Sequence, residues 1–224
     1  MNDKRRFHPP AVEPTDGGGG TPLVAAAAHA LATGADSRAV VLVEGVSDQV
    51  ALEALAERLG RNLSAEDISI LPMGGATNIR SFLDLFGPQG LDVRLAGLCD
   101  AAEEGEFRRG LERAGLGANL TRADMESLGF YVCVANLEEE LTRSLGAAAV
   151  EQVIDAQGEL GSFRTFQKQP AKRGQTHEVQ LWQFMWNRKI RYAPLLVDAL
   201  DLTQVPRPLE RVLAHVSPSS MPYS

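Results

Sequence analysis

The chain has 224 residues, 44% of them hydrophobic, which is long enough for one ordinary domain plus an appendage and excludes a wholly disordered protein. Its net charge of −7 argues against an indiscriminate grip on nucleic acid through counterion release. Two cysteines, Cys99 and Cys133, sit inside apolar runs with no CxxC pattern, and no apolar stretch follows Lys4, Arg5 and Arg6, so a soluble, cytoplasmic protein with reduced thiols is expected.

Residues 1–21 end in Pro14-Thr15-Asp16 and a run of four glycines, a composition that predicts a disordered N-terminal tail. Thr21-Pro22 then opens an Ala-rich helix to about Thr33, too short to span a bilayer. The continuous apolar run Ala39-Val40-Val41-Leu42-Val43 predicts a strand covered on both faces. Ser47 is expected to cap a helix with Val50, Leu52, Leu55 and Leu59 on one face, ended by Gly60. A strand over Ile68–Leu71, a turn at Gly74-Gly75 and a helix from Thr77 to Phe86 follow. Val93–Cys99 reads as a third strand, with a helix from about Glu103 to Ala114. Phe130–Val134 reads as a fourth strand, and Leu137–Leu145 as a helix.

Strands alternating with helices across short links predict an α/β, Rossmann-like unit with a mainly parallel four-stranded sheet. Residues 22–146 would form it, leading helix included. Residues 147–216, punctuated by Pro170, Pro194, Pro206 and Pro208, would be a helical extension packed on it, and 217–224 a mobile tail.

In such sheets ligands bind outside the carboxyl ends of the strands. Glu44 follows the first strand and Asp100 the third, placing two carboxylates at one edge, and Asp48 can face the same edge from the next helix. Carboxylates so grouped suit Mg²⁺, which keeps waters that a phosphate displaces. Cations gather elsewhere: between Phe163 and Tyr192, Arg164, Lys168, Lys172, Arg173, Arg188, Lys189 and Arg191 stand against one acid, Glu178. That is the pattern of an anion track, or equally of a solvated helix face. The turn Gly74-Gly75 either presents N–H groups to a phosphate or simply requires glycine. Trp182, Phe184, Met185 and Trp186 lie beside Arg188 and Lys189; they either pack helices onto the sheet or stack unpaired bases. The four histidines are scattered, and Ser47 has no partner for a nucleophilic triad.

The stretch Val41-Leu42-Val43-Glu44-Gly45-Val46-Ser47-Asp48 resembles the opening motif of TOPRIM domains. With Gly74-Gly75, Asn78, Asp100 and Leu137-Glu138-Glu139-Glu140-Leu141, it is similar to the nuclease TOPRIM domain of the overcoming-lysogenization-defect (OLD) family, here without the ATPase part. The resemblance implies phosphodiester cleavage with one or two Mg²⁺ or Mn²⁺ ions. Glu44 would be the acid/base or ligand glutamate, Asp100 the first acid of an Asp-x-Asp motif and Glu138 the later glutamate. Asp48 and Glu104 would complete the metal ligands, and Lys189 would stabilise the transition state. Lys168, Lys172, Arg173, Arg188 and Arg191 would bind DNA. The sequence departs from the family at Asp100-Ala101-Ala102, where the second acid is missing. The expected function is therefore a metal-dependent endonuclease or nickase. The alternative is a catalytically impaired module that binds nucleic acid, a nucleotide or a separate ATPase. No membrane role is expected, and a homodimer is compatible with the sequence.

Overall fold

The computed structural model describes residues 38–217. The tail expected over 1–21, the helix expected over 22–33 and residues 218–224 lie outside the described residues. Four strands, β1 (Ala39–Val43), β2 (Ile68–Pro72), β3 (Arg94–Cys99) and β4 (Phe130–Val132), form one sheet in the order β2-β1-β3-β4. Every pairing is parallel, with Val41 opposite both Ile70 and Ala96, and Leu98 opposite Tyr131.

The crossovers carry α1 (Val46–Arg58), α2 (Ile79–Phe86), α3 (Glu104–Arg113) and α4 (Arg122–Ser127). After β4 come α5 (Leu137–Leu145), α6 (Ala147–Ala156), α7 (Leu160–Gln167), α8 (His177–Met185), α9 (Lys189–Ala199) and α10 (Arg207–His215).

Alternation along β1 feeds two cores. Val41 and Val43 join Leu52 and Leu55 of α1, Leu137, Phe163, Tyr192, Leu196 and Leu213 on one face. Val40 and Leu42 join Phe82, Phe86, Phe107, Leu111 and Phe130 on the other. The helices after β4 thus close the first face of the same sheet. Two arginines tie them to α1 and the loop after it: Arg58 donates to the carbonyls of Val197 (2.6 Å) and Leu200 (2.8 Å), and Arg61 to that of Leu213 (2.7 Å). Cys99 and Cys133 are free and buried, and burial pushes both thiols up from their ordinary pKa.

Three local expectations change. Gly45, not Ser47, is the N-cap of α1; the Asp48 carboxylate reaches back to accept from the Gly45 N–H at 2.9 Å, while Ser47 is buried in the first turn. A third-position acid does the work expected of a serine cap. Helix α4 was not expected, although Thr121 and Asp124 form a reciprocal capping box in which each side chain accepts the other's N–H. Pro194 lies inside α9 instead of ending a helix.

The described chain enters and leaves at the amino ends of the strands. The Arg94 N–H donates to the Arg38 carbonyl (3.2 Å), and the Arg94 guanidinium to the Ser217 carbonyl (3.0 Å).

Candidate active site

β1 and β3 are parallel neighbours, so the residues that follow them emerge at one edge. Glu44 follows β1, and its Oε1 accepts the Asp100 N–H, after β3, at 2.8 Å. Asp48 enters from the first turn of α1. Glu138 enters from the first turn of α5, whose N-cap Asn136 accepts the Glu139 N–H at 2.9 Å. Glu138 is 4% exposed, and its Oε1 is buried without a hydrogen bond. The nearest cation is Lys189, the first residue of α9, with Nζ 3.8 Å from that oxygen.

The electrostatics show how these groups act on one another. Asp100 is pushed up to about 8, first by burial and then by Glu44, Asp48 and Glu138, with Lys189 opposing. Asp48 is pushed up to about 6 by burial, against its bond from Gly45, with Glu138 and Glu44 adding to the rise and Lys189 opposing. Glu44 is raised by burial, against the Asp100 N–H, with Glu103 and Glu138 adding and Lys189 opposing. Several carboxylates thus share a partly dry edge with one ammonium, an excess of negative charge that a hard divalent cation relieves.

The donor set, all carboxylate oxygen with an orphaned buried Glu138 Oε1, fits such an ion in chemistry. In position it is not closed: among the described residues, no three acidic, histidine or cysteine side chains are grouped to hold a metal as they stand. Glu44 Oε1 and Asp48 Oδ2 are turned to main-chain N–H groups. An ion has to draw these oxygens inward.

Glu104, expected among the ligands, is instead bonded to Arg122, and it is Glu103 that acts on Glu44. A 3-10 turn over Ala101–Glu103 makes the difference, winding the chain so that Glu103 follows where Ala102 has no ligand to offer. Sequence spacing did not separate the two glutamates, because an α-helix begun one residue earlier would exchange their directions.

The Gly74-Gly75 turn lies beside Glu44. Gly74 has φ 71° and Gly75 φ 126°, both left-handed, and the Gly75 N–H is bonded to the Glu44 carbonyl at 3.0 Å. Its N–H therefore holds the strand end, and the turn requires glycine for its backbone.

The basic segment divides. Arg191 donates to Glu159 (2.7 Å) and Gln157 (2.8 Å), and Arg188 Nε lies 3.8 Å from Glu159. Arg164 and His177 share Glu151. Lys172 donates to Gln183 at 2.6 Å and lies over Phe166. Both neutralising acids fall outside the window that looked uniformly cationic. Lys168 and Arg173 are exposed, away from these pairs. Of the whole segment, only Lys189 reaches the acids.

Residues 37–101 match the family model described as overcoming lysogenization defect protein-like, TOPRIM domain. Solved structures agree over most of the chain. The C-terminal region of the Burkholderia pseudomallei OLD protein is 22% identical with TM-score 0.64, covering 81% of this chain and 97% of that one. The C-terminal region of the Xanthomonas campestris pv. campestris OLD protein is 26% identical with TM-score 0.64, covering 80% of this chain and 92% of that one. No curated protein matches the sequence.

Proposed function

Because the chain carries a TOPRIM domain of the OLD family, we propose that it is a divalent-metal-dependent nuclease that nicks or cuts DNA. The observation that carries this reading is the grouping of Glu44, Asp48, Asp100 and Glu138 at one sheet edge with Lys189 beside them. These four acids, with Glu103 at the rim, would hold Mg²⁺ or Mn²⁺, and the bound ion would supply Lewis-acid stabilisation of the scissile phosphate. Glu44, still tethered to the Asp100 main chain, holds or moves the proton of the attacking water. Lys189 stands against charge that builds on the phosphate oxygens.

The deciding experiment is incubation of supercoiled plasmid with Mg²⁺, Mn²⁺ or EDTA, with Glu44→Ala in parallel. Metal-dependent nicking that disappears in Glu44→Ala is the expected result. Nicking by Glu44→Ala at the wild-type rate overturns the assignment.

A second reading is favoured by Ala102 and by the two carboxylate oxygens already bonded to main-chain N–H groups. In it the domain binds nucleic acid or a separate ATPase subunit without cutting. Intact plasmid under every metal, with retained DNA binding, selects this reading. Among the described residues no helix is long and apolar enough to cross a membrane, and we place the protein's work in the cytoplasm, where DNA is accessible.

A further inference from the structure

Beside the acids lies an open groove of about 640 Å³, where the start of α1 (Gly45, Val46, Ser47) faces the turn from α8 into α9 (Trp186 to Arg191). Its volume suits a ligand of nucleotide size. Lys189 belongs to both places, lining the groove and facing Glu138.

The groove has an apolar end and an anion-seeking end. The aromatic cluster of α8 separates by burial: Phe184 and Met185 are in the core, whereas Trp186 is 47% exposed, with Val46 and Ile190 exposed near it. The Trp186 ring is not loose. Trp182 packs edge-on against it at 4.8 Å, and the Lys189 ammonium lies 5.0 Å from its centre. At the other end, α1 is a 13-residue helix with no side-chain hydrogen bond capping its first turn. Ser47, in that turn, lines the groove, is 1% exposed, and its hydroxyl has no hydrogen-bond partner. A buried hydroxyl without a partner, beside main-chain N–H groups at a helix start, is a site awaiting an acceptor.

We propose that this groove holds one unpaired nucleotide flanking the cleaved phosphodiester, its base on Trp186 and its phosphate between Ser47, the start of α1 and Lys189. Opposite charge selects the occupant, since Arg188, Lys189 and Arg191 line the same groove. Stacking on an indole is tolerant of base identity, so the groove reads strand separation instead of sequence. The substrate class becomes DNA with a frayed, looped or single-stranded segment at the cut. The inference rests on nucleic acid being the substrate, but not on cleavage.

The test is therefore a binding measurement in EDTA with the full chain. A hairpin DNA bearing three unpaired nucleotides is compared with the same hairpin ended flush, by fluorescence anisotropy. The chain has two tryptophans, so Trp182→Phe leaves Trp186 as the sole indole reporter. The unpaired hairpin should bind about tenfold tighter and quench Trp186 emission, in keeping with the stacking of one base. Trp186→Ala should bring its affinity down to that of the flush hairpin, and Trp186→Phe should keep most of the preference. Ser47→Ala should weaken both hairpins' binding without removing the quenching. Equal affinity for the two hairpins, or a preference untouched by Trp186→Ala, overturns the proposal even if plasmid is cut. If plasmid stays intact in every metal while preference and quenching persist, the nuclease reading falls and the groove stands.

Discussion

Lys189 opposes the pKa rise of Glu44, Asp48 and Asp100 alike, and lies 3.8 Å from the orphaned oxygen of Glu138. A point charge so placed, on the first turn of a helix, is fixed before substrate arrives. Its contribution should appear in the chemical step more than in binding. Lys189→Met is expected to lower the single-turnover rate of plasmid cleavage by about 10²–10³-fold, the range for losing one charge-stabilising donor. DNA affinity should change far less; an equal loss of affinity and rate would make Lys189 a docking contact instead. At this scale the sequence was informative where chemistry is tied to a strand end. Glu44 and Asp100 directly follow buried apolar runs, and no other reading of β1 or β3 places them elsewhere. Glu103 and Glu104 were not separable, because the choice depends on a single 3-10 turn. The pairing of Arg188 and Arg191 with Glu159 was hidden for a different reason: the acid lies on the far side of α7 and α8 in sequence.

The strands that hold the acids depend on close packing across the sheet. Gly97, in β3, lies under the Phe130 ring, and an added Cβ would meet Phe130 Cδ1 at 2.5 Å, with the Leu42 carbonyl at 3.3 Å. Gly97→Ala should therefore destabilise by about 1–3 kcal/mol through overpacking. The readout is a lower denaturant midpoint with unchanged slope. Gly161→Ala is the control: in α7 an added Cβ meets nothing within 4 Å, so its midpoint should stay or rise slightly. A midpoint for Gly97→Ala equal to the control's would show that Phe130 yields without loss. Elements with strong local signals were legible, such as the valine-rich β1 and helix α5, whose bounds coincide with the expected Leu137–Leu145. Helix α4 was missed because it is only six residues long, and its capping box ends in Asp instead of the commoner Glu. Pro194 misled because it lies in a helix held by packing, where Tyr192, Ala193, Leu196 and Val197 are buried. Tertiary burial there outweighs the lost hydrogen bond.

For the whole molecule, the acid edge makes stability depend on pH with a defined sign. Asp100 holds its proton up to about pH 8 in the folded chain, but releases it near pH 4 when unfolded. Folding therefore takes up protons between those values. The favourable contribution is complete below about pH 4 and is lost as pH rises through 8. Asp48, at about 6, acts in the same direction over a narrower window. In EDTA the Tm should decline from pH 5.5 to 8, by the equivalent of about 1–2 kcal/mol after allowing for solvent screening of the exposed part of Asp100. Asp100→Asn should flatten the decline. Mg²⁺, binding the ionised carboxylates, should raise Tm more at pH 8 than at pH 5.5. Scanning calorimetry with and without Mg²⁺ measures all three, and a flat profile in EDTA would show that the acids do not repel one another in solution.

The meeting of Arg38, Arg94 and Ser217 at the amino ends of the strands also fixes how the molecule can be held. Both ends of the described chain leave from one pole, and the carboxylates lie at the other, a strand's length away, about 15–20 Å. Anchored to a bead or a sensor chip by either terminus, the protein turns its acid edge outward to meet a long duplex. A neighbouring module joined at either end starts behind the sheet, and reaches the cut only if the DNA itself wraps around to it.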